Sequence, residues 1–85
     1  MATATPSPTP NPNAMKFTLD TTLPAALNVR GPDEAEDVAF ARAVFAAGGV
    51  ASLFGVNDFV TVTRVDGADW GPITEAVTAA AAEYL

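Results

Sequence analysis

The chain has 85 residues, with ten acidic against four basic side chains for a formal net charge of −6, and it contains neither cysteine nor histidine. Those two absences exclude disulfides, cysteine-ligated zinc or iron–sulfur sites, thiol nucleophiles, Ser-His-Asp catalysis and any imidazole ligand or pH switch. So acidic a chain is repelled by phosphate backbones, and it has neither an apolar run long enough to span a membrane nor a basic start with an apolar h-region, so the expectation is one small, soluble, cytoplasmic domain.

Residues 1–12 are mostly Ala, Thr, Ser and Pro, with Pro6, Pro8, Pro10 and Pro12 at every second position. Alternating prolines forbid a helix and remove ladder donors, so residues 1–8 read as a flexible Pro/Thr/Ala tail ahead of a domain over 9–85. The spacing is Pro-x-Pro throughout, which argues against a polyproline ligand of the Pro-x-x-Pro kind. Nearest the domain, Thr9-Pro10-Asn11-Pro12-Asn13 interleaves asparagines with prolines and predicts a fixed turn.

Met15 to Asp20 alternates, with Met15, Phe17 and Leu19 inward and Lys16, Thr18 and Asp20 outward, as a half-buried strand should. A weaker second strand over Ala26–Arg30 is delimited by Pro24 and by Gly31-Pro32. The polar run Asp33 to Asp37 then opens a helix through about Ala47, with Asp33 or Asp37 as its cap, and Gly48-Gly49 stops it. Val50 to Phe54 is a short apolar run, and Phe59 to Val65 alternates in a β-branched pattern. Gly55 and Asn57-Asp58 supply the turn between them. Asp66-Gly67-Ala68-Asp69 is a further turn, and Asp69 caps a last helix whose apolar stripe runs Trp70, Ile73, Val77, Ala80 or Ala81, and Tyr84. The order is ββαββα. The fold class is α+β, an antiparallel four-stranded sheet with two helices packed on one face, burying Phe17, Phe45, Val60, Val62, Trp70 and Ile73 together.

Few residues suggest chemistry. The acidic cluster at 33–37 lacks the spaced oxygen ligands of a calcium loop and reads as a solvated helix start. Gly48-Gly49 follows a helix instead of opening one, the reverse of a phosphate loop. Trp70 heads an apolar stripe and reads as core. Asp20, Asp58, Asp66 and Asp69 are carboxylates that a hard cation such as iron would accept, which gives direct metal binding as an alternative function. Catalysis would need carboxylates, Tyr84 or Lys16, and no spacing brings two of them together, so no enzyme and no cofactor is expected. The turn Val56-Asn57-Asp58-Phe59, an exposed aromatic between amide and carboxylate groups, suits protein recognition.

Two segments together are distinctive: Thr9-Pro10-Asn11-Pro12-Asn13-Ala14-Met15-Lys16-Phe17, and then Gly49-Val50-Ala51-Ser52-Leu53-Phe54 with Asn57-Asp58-Phe59-Val60-Thr61-Val62-Thr63-Arg64. Over about residues 9 to 85 the chain resembles the N-terminal domain of Nfu/NifU-type iron–sulfur scaffold proteins; the helix around Ala41-Arg42-Ala43-Val44-Phe45 and the Trp70 position are similar too. In two-domain members of that family a separate domain with a Cys-x-x-Cys motif holds the cluster. This chain reads as a stand-alone first domain, and with no cysteine it inherits no cluster ligand. What the resemblance implies is a non-catalytic accessory or adaptor role in iron–sulfur cluster assembly or delivery. Its partners would be assembly or recipient proteins, among them a separate cysteine-bearing Nfu domain, bound through Asn11, Asn13, Asn57, Asp58 and Phe59.

Overall fold

The computed structural model describes residues 2–23 and 25–85. Met1, read as part of the tail, and Pro24, read as a strand delimiter, lie outside them. Eight elements follow in order: β1 (Ala4–Pro8), β2 (Ala14–Leu19), β3 (Leu27–Val29), α1 (Pro32–Ala35), α2 (Ala39–Phe45), β4 (Val50–Val56), β5 (Phe59–Arg64) and α3 (Trp70–Tyr84). The strands form one antiparallel sheet in the order β1-β2-β5-β4-β3. The α+β class and the antiparallel sheet are as the sequence predicts. The counts are not, since among the described residues five strands and three helices replace four and two.

The fifth strand comes from the segment read as a tail. Ala4–Pro8 pairs with β2 along its whole length, from Ala4 opposite Leu19 to Pro8 opposite Met15. The proline spacing that argued against a strand is what an edge strand permits. Alternate residues of a strand turn their N–H groups to opposite sides, so Pro6 and Pro8 both place their missing donors on the outer edge. Thr5 and Ser7 keep their N–H groups for β2. The outer rim, poor in donors, is a weak template for a further strand. The start of the chain is also fastened by packing and by hydrogen bonds. Ala2 and Ala4 are buried, the Ala2 N–H donates to the Ala81 carbonyl at 3.3 Å, and the Thr3 N–H donates to Asp20 Oδ1 at 3.0 Å.

The third helix arises because the single helix expected over 33–47 is broken. On one continuous helix, at 3.6 residues per turn, Phe40 and Val44 would stand roughly 140° and 180° around from Ala35. All three are buried in the same core, so the chain must reset its direction between them. It does so at Val38, which is extended (φ −124°, ψ 106°) and starts α2. Gly31 precedes α1, and neither Asp33 nor Asp37 caps a helix through its side chain, contrary to the expectation. The Asp69 cap is as expected, with its carboxylate accepting from the Gly71 N–H at 3.1 Å.

Two rows of side chains cross the covered face of the sheet. Register sets Phe17 opposite Val60 and Val60 opposite Gly55, while Met15 stands opposite Val62 and Val62 opposite Leu53. Phe40, Ala41 and Val44 from α2 and Ile73, Val77, Ala80 and Ala81 from α3 close over them. Phe45 and Trp70, expected in this core, are only half-buried against it. Gly55, expected in the hairpin turn, is buried inside β4. A Cβ there would lie 2.9 Å from Leu23 Cδ1 and 3.3 Å from Val60 Cγ2, so a side chain at this position would collide with Leu23 and crowd Val60.

Two outcomes test this architecture. Deleting residues 2–8 removes β1 and its buried alanines, and should lower unfolding stability in urea by about 2 kcal/mol; a mere tail would leave the midpoint unchanged. Gly48 and Gly49 both have left-handed backbones (φ +78° and +79°), but only at Gly49 would a Cβ strike a neighbour, Ala68 Cβ at 2.9 Å. Gly48→Ala should therefore cost about 1 kcal/mol of backbone strain, and Gly49→Ala measurably more.

Candidate functional site

The residues proposed from sequence divide between opposite ends of the central β2–β5 pair. Ala14 stands opposite Thr63 at one end and Thr18 opposite Phe59 at the other. The four residue steps from Phe59 to Thr63 separate these ends by roughly 13 Å at strand rise.

At the first end, Thr9–Asn13 is the fixed turn that its composition predicts. The Thr9 hydroxyl lies 2.9 Å from the carbonyls of both Asn11 and Ala14, and accepts from the Asn11 N–H at 3.2 Å. Asn11 Oδ1 accepts from the Asn13 N–H at 2.9 Å, the local side-chain-to-backbone bond that makes asparagine a turn former. Asn13 is tied across the sheet. Its backbone carbonyl accepts from the Arg64 N–H at 2.8 Å, and its Oδ1 accepts from Arg64 Nε at 3.2 Å. Arg64 also donates through Nη1 to the Ala68 carbonyl at 2.7 Å, and its guanidinium lies over the Trp70 ring at 5.3 Å. The Trp70 indole N–H reaches the Pro12 carbonyl at 3.4 Å. Asn11 and Asn13 thus hold the loop in shape with their side-chain oxygens. Sequence reasoning missed Arg64 as the clamp, although the fork geometry of arginine suits several acceptors at once.

At the second end, Asn57 takes the left-handed backbone (φ 55°) that asparagine tolerates. The carbonyls of Asn57 and Asp58 accept from the N–H groups of Leu23 (2.6 Å) and Leu19 (2.7 Å), so the turn supports the end of β2 while both its side chains remain exposed. Phe59 is half-buried on the uncovered face of the sheet, with Lys16 Nζ 4.6 Å from its ring centroid, a cation–π contact. Val56 stands directly opposite Phe59, and Phe54 opposite Thr61. Phe54 is 45% exposed. Phe54, Val56 and Phe59 therefore form one apolar patch among Lys16, Thr18, Thr61 and Asn28, on strands that carry no carboxylate on this face.

Sequence reasoning found Phe59 but not Phe54. Counting by twos from Val50 turns Phe54 inward. A bulge at Ala51, where Val50 pairs with Arg64 but Ser52 with Thr63, shifts the count by one and turns Phe54 out.

The carboxylates named for metal binding do not gather. Asp20 accepts from Thr3 and Asp69 caps α3. Among the described residues no three Asp or Glu side chains are placed to hold one ion. An iron–sulfur cluster needs thiolates, and the sequence has none, so this donor set does not fit one. Among the described residues no helix is long and apolar enough to cross a membrane.

Residues 5–85 match the family model described as scaffold protein Nfu/NifU N terminal. No curated protein sequence matches the chain. Among solved structures, the crystal structure of protein SAV1430 from Staphylococcus aureus is 30% identical, with a TM-score of 0.78 over 94% of this chain and 98% of that one. The solution structure of SeR13 from Staphylococcus epidermidis is 26% identical, with a TM-score of 0.64 over the whole of both chains. A NifU-like protein from Saccharomyces cerevisiae, 24% identical, has the same fold, with a TM-score of 0.74 over 91% of this chain and 72% of that one. The family match spans nearly the whole sequence and agrees with the fold, and the chain belongs to the Nfu/NifU scaffold-protein N-terminal domain family.

Proposed function

We propose that this domain is a non-enzymatic adaptor in iron–sulfur cluster assembly or delivery, which acts by binding a protein that carries or receives the cluster. The family match over residues 5–85 carries the connection to cluster assembly. The chemistry of the chain supports an accessory role within it, because a chain without thiolates leaves cluster ligation to its partner. The cluster is cargo held by the other protein.

Of the two ends, the uncovered face at the hairpin is the better recognition surface. Its anchor is the apolar patch Phe54, Val56 and Phe59, rimmed by Lys16, Asn57 and Asp58. That combination, aromatic rings inside a polar border, is the composition of a protein-binding hot spot. Asn11 and Asn13 support the opposite loop and contribute shape there.

The test is an anaerobic titration of the isotopically labelled chain with a purified cysteine-bearing Nfu domain loaded with its cluster, read by amide chemical shifts. Perturbations should concentrate on Lys16, Phe54, Asn57 and Phe59. Phe54→Ser, an exposed substitution, should weaken binding about tenfold, whereas Asn13→Ala should leave affinity nearly unchanged. Perturbations confined to Thr9–Asn13 would reject this surface. Absence of binding to the loaded domain and to an apo recipient protein would reject the adaptor reading.

A further inference from the structure

None of the five strands contains an aspartate or a glutamate. The ten carboxylates of the chain lie in α1, in α3 or between elements. The strands do carry two of the four cations, Lys16 and Arg64. Arg64 is committed to Asn13, Ala68 and the Trp70 ring. Lys16 stands exposed on the uncovered face, with Ser7 opposite it on β1 and Thr61 opposite it on β5, and its Nζ is 4.6 Å from the Phe59 ring centroid. The carboxylates nearest along the strands are at the hairpin end: Asp20, which accepts from the Thr3 N–H, and Asp58 in the turn. In a chain of net charge −6, the middle of this face is locally positive.

Register places Lys16, Thr61, Phe54 and Asn28 in one row straight across four strands. At about 4.8 Å per strand, Lys16 and Phe54 stand about 10 Å apart at the backbone. The Lys16 ammonium covers the Phe59 ring, whereas Phe54 remains 45% exposed. In an extended segment, side chains two residues apart point the same way roughly 7 Å from one another. An apolar side chain resting on Phe54 therefore puts a carboxylate two residues away within side-chain reach of Lys16. A lysine-rich segment would meet Lys16 as a like charge. A second copy of this chain has no carboxylate in the strands of its own uncovered face to offer. A nucleic acid would bring many charges to one cation, against a net charge of −6.

We infer that the uncovered face accepts an acidic, apolar segment of its partner protein, in which a large apolar side chain lies on Phe54 and Val56 and a carboxylate two residues away pairs with Lys16. This names the partner chemistry of the face proposed above and rests on that reading. Because the ion pair is exposed, it selects which segment is accepted more than it tightens binding.

The test is titration of the isotopically labelled chain with a synthetic peptide that has a phenylalanine at its centre and a glutamate two residues away on each side, read by amide chemical shifts. Shifts should move saturably at Lys16, Phe54, Val56 and Thr61. Lys16→Glu should weaken the peptide about fivefold. Arg42→Glu makes the same change of net charge at an exposed position of α2, and should leave affinity within about twofold. A peptide with lysines in place of the glutamates should bind the wild type more weakly and Lys16→Glu more tightly. If circular dichroism shows that Lys16→Glu does not fold, Lys16→Met, which keeps the apolar stem, replaces it with an expected loss of about threefold. Equal affinity of the wild type and the folded Lys16 variant for the glutamate peptide overturns the proposal. So does equal binding of the lysine peptide, or tighter binding of a thymidine oligonucleotide at the same residues. Failure of the glutamate peptide, with the cluster-loaded partner still perturbing Phe54 and Phe59, rejects this chemistry and leaves the adaptor face standing; failure of both rejects the face.

Discussion

The register of β2 against β5, with Phe17 opposite Val60 and Met15 opposite Val62, is the constraint on which the rest of the structure depends. A strand slipped by one residue would turn its whole apolar set to the other face. In the observed register those four side chains form the middle of both core rows, and α2 and α3 have one surface to cover. β1 and β4 add to the outer sides of this pair, β3 adds to β4, and each inherits its facing from it. Gly55 fits the same logic: it continues the row of Phe17 and Val60, where the missing side chain makes room for Leu23.

The pairing also keeps apart what the sequence suggested belonged together. The Thr9–Asn13 loop precedes β2, whereas the Asn57-Asp58 turn precedes β5, its antiparallel neighbour, so the two lie at opposite ends of the sheet. Each end has its own physical character. At the loop end the polar groups bond to one another, with Arg64 joining Asn13, Ala68 and Trp70. At the hairpin end the backbone carbonyls are occupied and the side chains face outward beside an apolar patch. A surface whose polar groups are already paired within the protein has less to offer a partner than one whose side chains remain open to it.

Much of this was legible in the sequence for local reasons. The strands Ala14–Leu19 and Phe59–Arg64 carry an alternating pattern, with Phe17 and Leu19 in one and Val60 and Val62 in the other turned to the core. Asp69 precedes an apolar stripe at helical spacing, Gly48-Gly49 stops the preceding helix, and Asn57 is suited to a left-handed turn. Others were misread because their meaning depends on a neighbour. Pro6 and Pro8 look hostile to a strand until β2 supplies an inner side and leaves them the outer one. Trp70 looks like core until Arg64 and the Pro12 carbonyl are seen to hold it at the rim.

Composition, alternation and turn chemistry in the sequence alone determined the class of fold, the facing of the central strands and the absence of thiolate and imidazole chemistry, because each of these follows from residues a few positions apart or from the residue inventory. Tertiary structure decided the rest. It decided the fifth strand, since edge pairing needs a partner already in place. It decided the break at Val38, since Ala35 and Val44 can reach one core only if the helix axis is reset. And it decided the exposure of Phe54, since one extra residue at Ala51 inverts the facing of every position after it in β4, and that bulge exists only in the pairing with β5.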